Sequence, residues 1–565
     1  MSVRRLEALL LAILLTAPGG AAWSKSYKVS VRGGESASFL PEDPKAEPAK
    51  DSRRYDVVIV GGGLAGMTAA SYLSDHGKSV LLLEKEEVLG GIAAGGMLYS
   101  GVPFNRGVAY WTDSTEEQMK ILEHIGMGGY RDRHAIPEPT DSYFWKGKLY
   151  LGIWEEETLH QLPASFALFK SELQRADKGG LIPNQPFEEG AHLELDAFNA
   201  AEWIRAMPEA AAARTDEEAK KVYARFSEDK SILLEDPMRD VVDLMDLYCR
   251  SALGGNANQV SAAAFANFYI SEIATRYTTP LGTGEAASLI ERILRQRGHL
   301  VDIRLKAAAR SVRQDAGGVE VLYLQKGKAR GARAAHAVFA AQLKFAADIV
   351  EGLAASERGQ ALRDLAYSHY SVHVVVTKGH PYRATFDTWT RASDYTERDF
   401  PDVILWRWMD PVIKGYEGMR DHKQDPKDDQ GILTIYHPFS HPLGLKPRES
   451  KWEREHVAEV ARQAVARLID LYSPLLKERW GTKIEVRSVE TNRWPFSIHV
   501  AKPGHFTRLA KELRKPYGRV FFANNNLGTP SFEEALFRGH CAANNILKRL
   551  DPGFAQEPWS KCPLE

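Results

Sequence analysis

The chain has 565 residues, of which 44% are hydrophobic and 26% are charged, so it can bury a large core. Its 73 Lys and Arg residues nearly balance its 74 Asp and Glu residues, and a net charge of -1 excludes an extensive basic surface for nucleic acid. A chain of this length favours more than one domain.

The first residues have the pattern of an export signal. Arg4 and Arg5 give a charged start, residues 8–16 form a short apolar run, and small residues at 19–22 offer a cleavage site after Ala22. An uncleaved membrane anchor is the alternative, but the run is shorter than the roughly 20 residues that a spanning helix needs. We predict a signal peptide over residues 1–22 and an exported, periplasmic or secreted protein, with the twin-arginine route left open.

The next segments contain a linker and then the first regular structure. Three prolines among charged residues predict a linker over residues 23–54. The apolar run Tyr55–Val60 predicts a buried strand, Leu64–His76 a helix and Ser79–Glu84 a second strand. This βαβ unit predicts an α/β fold with a parallel sheet.

The turn between that strand and helix, residues 61–66, satisfies the GxGxxG pattern. Gly61 permits a tight turn, Gly63 lets the backbone approach a pyrophosphate, and Gly66 lets the helix pack on the strand. The helix N-terminus offers free N–H groups and a partial positive charge to phosphates. Glu84 follows at the distance expected of a carboxylate that binds ribose hydroxyls, and it disfavours NADP. A glycine turn in an unrelated α/β fold is the alternative.

Weaker apolar patterns continue along the chain. They predict helices over residues 196–207, 237–253, 261–276, 285–297 and 532–550, and strands over 299–305, 319–324, 334–341, 370–377 and 519–523. A second glycine pattern, Gly282 to Ala287, follows no buried strand, and Pro280 would interrupt a central one. A second nucleotide site for NAD(P)H is therefore disfavoured.

The C-terminal region favours FAD over NAD as the bound dinucleotide. Gly518–Asn526 predicts a strand and a polar turn, and a new helix begins at Ser531–Glu533. A cofactor that engages both ends of the chain must be long, and extended FAD meets that requirement.

With these motifs the sequence resembles the flavin-containing amine oxidase superfamily, which includes protoporphyrinogen oxidase and phytoene desaturase-like enzymes. The stretches that carry the resemblance are Tyr55–Gly96, Thr279–Ala341 and Gly518–Leu547. It implies an α/β fold in which a Rossmann-like FAD-binding domain is interleaved with a mixed-sheet plus helical substrate domain. The implied order is FAD-binding parts over residues 55–135, 277–345 and 491–550, substrate parts over 136–276 and 346–490, and a C-terminal tail over 551–565.

The resemblance also implies the residues that hold FAD non-covalently. They are Gly61, Gly63, Leu64, Ala65, Gly66, Glu84, Lys85, Gly91, Asn525 and Glu533. Two positions depart from the superfamily, since Ile92 stands where an Arg is frequent and Asn524–Asn525 replaces a Gly-Asp pair. Asn both donates and accepts hydrogen bonds, which keeps binding feasible. No cysteine is near Trp494 in the sequence, so a covalent thioether to flavin is not expected.

In the absence of a nicotinamide site, the electrons should come from the substrate. The resemblance implies hydride transfer from an amine, amino acid or polyene-like substrate to flavin N5, with oxygen, a quinone or a protein as electron acceptor. On the strand over residues 370–377, His373 stands where amine oxidases often carry a lysine. His373 is therefore predicted to accept a proton or hold a water, and the alternative is a histidine satisfied within the sheet.

Aromatic residues suggest a pocket on the flavin face. Trp494 is predicted to lie there, with Trp389, Trp406 and Trp408 as further candidates, although core packing is the alternative for all four.

Cysteines and histidines give no metal motif. Cys249, Cys541 and Cys562 lack CxxC spacing, which predicts buried small hydrophobic residues and no disulfide framework. His437 and His441 have the spacing of a zinc-binding helix, but Pro438 makes a regular helix unfavourable there.

Two other functions stay open at this point. One is a flavin-dependent isomerase or mutase without net oxidation. The other is a non-catalytic protein that retains the fold, a hypothesis motivated by Ile92 and Asn524–Asn525.

Overall fold

A computed structural model describes most of the chain. The described residues are 27–32, 49–97, 103–112, 115–136, 138–183, 185–186, 190–273, 275–279, 281–379, 381, 385–396, 399–405, 430–439 and 450–564. The predicted signal peptide over residues 1–22, and Trp406, Trp408 and His441, lie outside them.

The strands of the described residues are β1 (Lys28–Arg32), β2 (Ala49–Val60), β3 (Val80–Leu83), β4 (Gly95–Met97), β5 (Pro103–Asn105), β6 (Trp111–Thr112), β7 (Asp141–Trp145), β8 (Lys148–Leu151), β9 (Arg276–Tyr277), β10 (Val301–Arg304), β11 (Ala307–Asp315), β12 (Gly318–Gln325), β13 (Lys328–Phe339), β14 (Tyr367–Lys378), β15 (Asp387–Arg391), β16 (Asp402–Leu405), β17 (Gln430–Phe439), β18 (Val486–His499) and β19 (Val520–Phe522).

The α-helices of the same residues are α1 (Leu64–Asp75), α2 (Glu116–His124), α3 (Tyr130–His134), α4 (Glu156–Leu159), α5 (Ala164–Lys178), α6 (Ala200–Ala212), α7 (Glu217–Glu228), α8 (Arg239–Ala252), α9 (Ala262–Ile273), α10 (Gly284–Gln296), α11 (Ala346–Ile349), α12 (Glu357–Asp364), α13 (Ser450–Trp480), α14 (Lys511–Arg514) and α15 (Phe532–Leu550). None of these helices is both long enough and apolar enough to cross a membrane.

One sheet contains the predicted βαβ unit. Its strand order is β10-β3-β2-β13-β12-β11, with β19 beside β13. Strands β10, β3, β2, β13 and β19 are parallel, whereas β11, β12 and β13 form an antiparallel meander. The parallel sheet predicted from Tyr55–Glu84 is confirmed, and both faces of β3 are buried as expected of such a sheet.

A second sheet has the order β1-β18-β14-β17-β16-β15-β7-β8. Helix α13 covers one face, where Val465 and Leu468 pack with Val375 of β14. The other face meets helices α5 to α9, where Phe265 and Tyr248 pack with Trp389 of β15. Because both faces are covered, eleven of the twelve residues of β14 are buried.

The predicted linker over residues 23–54 is wrong for two segments. Lys28–Arg32 forms the edge strand β1, which pairs parallel with β18, and β2 begins at Ala49 and not at Tyr55. Val29 and Val31 alternate with polar residues in β1, but five residues are a weak strand signal. The backbone pairing with β18 that fixes this strand is not visible in the sequence. The predicted boundary at residue 491 also falls inside β18, which belongs to the second sheet.

Helix boundaries agree best where a local capping signal is present. Helix α15 has the predicted bounds Phe532–Leu550. The helix predicted over residues 196–207 begins instead at Ala200, because Asn199 caps it in a reciprocal pair of hydrogen bonds with Glu202.

The cysteine prediction is wrong for one pair. Cys541 of α15 and Cys562 form a disulfide across 21 residues, whereas Cys249 is free and buried. The two cysteines meet because the tail after α15 turns back along that helix. No short sequence motif indicates such a return. The backbone N–H of Lys561 also donates to Glu117 of α2 at 2.6 Å. The tail over residues 551–564 is therefore fixed to the helices.

Candidate functional site

A cavity of about 670 Å³ is lined by residues of both sheets. We call the part formed by residues 61–65 and 84–91 the glycine wall. We call the part formed by Tyr370, Trp389, Asp402 and Tyr436 the aromatic wall. Described residues from β2 through α15 contribute to this one space.

The glycine wall begins with a turn that only glycine can form. Gly61 has φ +108°, and a Cβ there would lie 2.7 Å from the backbone nitrogen of Ala341. A Cβ on Gly66 would lie 2.1 Å from the carbonyl oxygen of Gly61, so the turn and α1 pack backbone to backbone. At Gly63 a Cβ would meet no atom within 4 Å. The backbone of Gly63 is therefore open to a ligand.

Glu84 closes the turn from the second strand. Its carboxylate accepts the N–H of Gly62 at 2.7 Å and the N–H of Glu86 at 2.8 Å. Burial raises the pKa of Glu84, and the two backbone donors oppose that shift. A carboxylate has about four lone-pair positions, so acceptor capacity is left for hydroxyl groups in the cavity.

A second helix N-terminus borders the cavity at the start of α15. Ser531 caps this helix by accepting the N–H of Glu534 at 3.0 Å. Glu533 accepts the N–H of Thr112 at 2.8 Å and its hydroxyl at 3.1 Å. Helix α15 packs closely against α1 at Gly539. A Cβ on Gly539 would lie 2.3 Å from the carbonyl oxygen of Ala65 in α1, so only glycine permits this approach.

The polar turn before α15 is held by hydrogen bonds of side chains within and beside it. Asn524 donates to the carbonyl of Ala341 at 2.9 Å and accepts the N–H of Asn526 at 3.0 Å. Tyr367 donates to the side-chain oxygen of Asn526 at 2.8 Å. These bonds position Asn525, which lines the cavity.

Two buried donors point to a ligand rich in acceptors. The indole N–H of Trp111 and the amide nitrogen of Gln185 belong to residues that line the cavity, and neither has a hydrogen-bond partner among the described residues. A buried donor without a partner costs roughly 1–3 kcal/mol. A bound group with carbonyl oxygens or ring nitrogens would satisfy both.

Trp494 lines the cavity, as predicted. Its indole N–H donates to the carbonyl of Arg106 at 2.6 Å, and the Arg106 guanidinium lies 5.4 Å from its ring centre. Two residues later Phe496 has φ +52°, and the pairing of β18 with β14 shifts register here. Such irregularities redirect side chains.

His373 does not line the cavity, and its contacts are those of the alternative, a histidine satisfied within the sheet. On β14 the lining residues are Tyr370 and Val372, and strand side chains alternate between faces. His373 therefore lies on the α13 side, where its ring nitrogens are 3.2 Å from Thr491 and 3.4 Å from His437. Burial lowers its pKa well below the ordinary value.

The aromatic wall adjoins a buried ionic cluster that sequence reasoning missed. Arg276 lies 2.6 Å from Asp141 and 3.5 Å from both Glu272 and Asp387. Asp402 accepts the hydroxyl of Ser251 at 2.9 Å. These residues come from β7, α9, β9, β15 and β16, so no local motif announces them.

Most of the predicted site residues meet at the cavity. Those that line it are Gly61, Gly63, Leu64, Ala65, Glu84, Lys85, Gly91, Trp494, Asn525 and Glu533. Gly66 supports the turn from behind. Ile92, where the superfamily often has Arg, also lines the cavity, together with the nearby Arg106.

The second glycine pattern, at Gly282 to Ala287, packs behind this site. Strand β9 before it has two residues and pairs antiparallel with β6. A Cβ on Gly284 would lie 2.5 Å from the backbone nitrogen of Gly95. The turn thus braces β4 and does not follow a strand of the parallel sheet.

Comparison with known proteins agrees with this architecture. The family profile described as "Flavin containing amine oxidoreductase" matches residues 64–547. The chain is 35% identical over 80 residues to 4-oxocyclohexanecarboxylate 2-dehydrogenase of Sinomonas cyclohexanicum, covering 14% of this chain and 14% of that protein. It is 37% identical over 95 residues to the chloroplastic/chromoplastic 15-cis-phytoene desaturase of Arabidopsis thaliana, covering 17% of this chain and 13% of that protein. These matches thus span about one seventh of each relative's own length.

The fold extends the likeness over nearly the whole chain. Cyclohexylamine oxidase from Brevibacterium oxydans IH-35A superposes with a TM-score of 0.56 and 17% sequence identity, covering 88% of this chain and 100% of that chain. At this identity the likeness concerns the fold alone.

Proposed function

The chain belongs to the flavin containing amine oxidoreductase family, and from that premise we propose that it is an FAD-dependent oxidoreductase. It transfers a hydride from an organic substrate to flavin N5, and oxygen, a quinone or a protein then reoxidises the flavin. The observation that carries this proposal is the single cavity, because it joins an open glycine turn, a second helix N-terminus and two buried donors without partners.

The residues of the glycine wall fit the adenosine diphosphate half of FAD. The open backbone at Gly63 and the N-terminus of α1 would bind the pyrophosphate, and Glu84 would accept the ribose hydroxyls. Asn525, which lines the cavity, would hydrogen-bond the part of FAD between pyrophosphate and flavin. Ile92 has no charge at the position where the superfamily often has an arginine. Arg106, which also lines the cavity, would supply a positive charge there instead.

The start of α15 fits the flavin ring. When bound, FAD accepts the hydride from the substrate. The partial positive charge at the N-terminus of α15 would stabilise negative charge on the pyrimidine portion of the flavin. Trp111 and Gln185 would donate to ring acceptors. Non-covalent binding is proposed because, among the described residues, no cysteine or histidine lines the cavity.

Substrate would lie against the aromatic wall and Trp494. Rings of this kind present an apolar body with polar edges, which suits a small or lipophilic organic molecule. Amines, amino acids and polyene-like compounds stay within the proposal.

Export is the proposed fate of the chain. The disulfide between Cys541 and Cys562 supports it, because such bonds persist in oxidising compartments outside the cytosol. We expect a mature protein that begins at Trp23, in the periplasm or secreted. N-terminal sequencing of the protein from a periplasmic fraction tests this, and a chain that retains Met1 in the cytosol contradicts it.

An absorbance spectrum of the full-length purified protein tests the enzymatic proposal. We expect a bound flavin that acid releases intact, followed by anaerobic bleaching with at least one compound from a panel of amines, amino acids and polyenes. Protein that is colourless, and stays so after refolding with FAD, would support the non-catalytic hypothesis instead. Turnover without consumption of an electron acceptor would indicate an isomerase.

A further inference from the structure

Three aspartates lie side by side across neighbouring strands of the second sheet. Asp387 of β15 pairs with Asp141 of β7, and two residues later Trp389 of β15 pairs with Asp402 of β16. Directly paired residues, and residues two apart on one strand, project from the same face. All three carboxylates therefore lie on the face that carries the aromatic wall.

These carboxylates exceed the positive charge beside them. Glu272 of α9 adds a fourth, and Arg276 is the cation that Asp141, Asp387 and Glu272 share. All five side chains are buried. If every one were ionised, these five side chains would carry a net charge of -3, and the nearby Arg250 would reduce it only to -2. An excess of negative charge out of contact with water is strongly unfavourable. The cluster must therefore bind protons.

Asp402 is the member of this cluster that reaches the cavity. It lines the aromatic wall, and the hydroxyl of Ser251 holds one of its oxygens. Burial raises the pKa of Asp402 to about 8, and it raises the pKa of Glu272 to about 7. The titratable and charged groups around Asp402 are Asp141, Asp387, Glu272, Arg276, Tyr370, Tyr436 and Arg250.

Two polar atoms on the same face as this cluster have no hydrogen-bond partner among the described residues. Thr434 of β17 pairs with Ile404, which lines the cavity, so its hydroxyl projects from the cavity face. That hydroxyl is fully buried and has no hydrogen-bond partner within the described part of the chain. The Oδ1 atom of Asp387, on the same face, is also buried and has no hydrogen-bond partner among the described residues.

Building on the proposed oxidoreductase activity, we propose that Asp402 is the proton acceptor of the cavity, for substrates whose oxidised carbon carries an N–H or O–H group. The Asp402 carboxylate takes the proton from nitrogen or oxygen, and the electron pair of that bond forms the second bond to carbon. The C–H hydride leaves with its two electrons to FAD, and the product is an imine or a carbonyl compound. A polyene has no proton acidic enough for a carboxylate.

The first test compares holoproteins of the full chain with cyclohexylamine and cyclohexanol as probes. Asp402→Asn keeps an oxygen acceptor for Ser251, and Asp394→Asn removes an equal charge from an exposed site after β15. We expect Asp402→Asn to slow anaerobic bleaching roughly 10²- to 10⁴-fold, while Asp394→Asn stays within about twofold of wild type. The wild-type rate should rise with pH through about 8, and Asp402→Asn should lose that rise.

A second measurement needs no substrate. The infrared spectrum of the wild-type holoprotein should lose protonated carboxyl absorption between pH 6 and pH 9, in one component near pH 8 from Asp402 and one near pH 7 from Glu272. Asp402→Asn should lack only the component near pH 8. Bleaching by Asp402→Asn at the wild-type rate, or an unchanged band in that variant, overturns the assignment. If neither probe bleaches any variant, the infrared band alone decides. A yellow protein with either result leaves the proposed oxidoreductase standing, whereas a colourless one contradicts that broader proposal.

Discussion

The glycine wall and the aromatic wall of the cavity are built in opposite ways. The glycine wall comes from one short turn, residues 61–66, and from a carboxylate at the end of the next strand, and it offers backbone groups. The aromatic wall takes single side chains from four strands that are distant in sequence. A site made of backbone needs a particular local sequence, whereas a site made of side chains depends on strand register. The two walls should therefore respond differently to substitution.

The largest expected effect is on the glycine wall, in Gly66→Ala. The added Cβ would lie 2.1 Å from the carbonyl oxygen of Gly61, and neither backbone can move without opening the turn. Overpacking of this kind typically costs about 1–3 kcal/mol, and backbone contact places this variant at or above the upper end. Urea unfolding and the flavin content of the purified protein measure it. A variant with wild-type stability and full flavin content contradicts the backbone-to-backbone packing of α1 on the turn.

Gly63→Ala, three residues earlier in the same turn, should affect FAD binding and not stability. Its Cβ would meet no protein atom within 4 Å, so the unfolding free energy of the apoprotein should stay within about 0.5 kcal/mol of wild type. The same Cβ would occupy the space proposed for the pyrophosphate, and we expect FAD to bind at least about tenfold more weakly, a loss of about 1.4 kcal/mol.

Fluorescence titration of the apoprotein with FAD gives that affinity for Gly63→Ala. Unchanged affinity would remove the pyrophosphate from the glycine wall. Gly298→Ala serves as the control, since Gly298 does not line the cavity, its φ is not left-handed, and its Cβ would lie 3.4 Å from the carbonyl oxygen of Arg295, an ordinary contact.

The same division explains what the sequence could predict. The strand, turn and helix around Gly61 and the bounds of α15 follow from local periodicity and turn chemistry. Strand β1 has only two alternating valines as a local signal, and its place in the sheet comes from β18, more than 450 residues later. The Cys541–Cys562 bond likewise depends on where the tail returns.

Strand β14 shows how far the sequence alone can predict the site. Alternation along β14 correctly separates two faces, but sequence alone does not say which face meets the cavity. His373 lies on the face away from the cavity, and Tyr370 of the same strand lines the cavity instead. Asp402 gave no signal at all, since its importance comes from pairing with Trp389 and from its neighbours Asp387 and Asp141.

A smaller effect is expected on the aromatic wall, in the pH dependence of stability. The pKa of Asp402 is raised by burial to about 8, so between pH 4 and pH 8 the folded state keeps a proton that the unfolded state has released. The unfolding free energy of wild type should therefore fall as pH rises through this window. Asp402→Asn lacks this penalty.

An isolated site with this pKa shift would change the unfolding free energy by about 3–4 kcal/mol between pH 5 and pH 8. Because Asp402 titrates together with the neighbouring carboxylates, we expect Asp402→Asn to gain only about 1–2 kcal/mol on wild type over this range, as measured by urea unfolding at both values. Part of the wild-type slope should remain, because Glu272 also has a raised pKa. Asp394→Asn provides the control, since an exposed aspartate that pairs with Arg467 has a lowered pKa and should show no such gain. A constant difference across the pH range would mean that Asp402 is ionised throughout.

The smallest expected effect concerns the face of β14 that turns away from the cavity. His373→Gln keeps a side chain able to hydrogen-bond Thr491 and His437, and it changes nothing that lines either wall. Anaerobic bleaching of the holoprotein should therefore proceed within about twofold of the wild-type rate, even if the melting temperature drops. A decrease in bleaching rate as large as the one expected for Asp402→Asn, in protein that retains its flavin, would contradict the assignment of the two faces of β14. It would show that strand register alone does not decide which side chains handle protons in this fold.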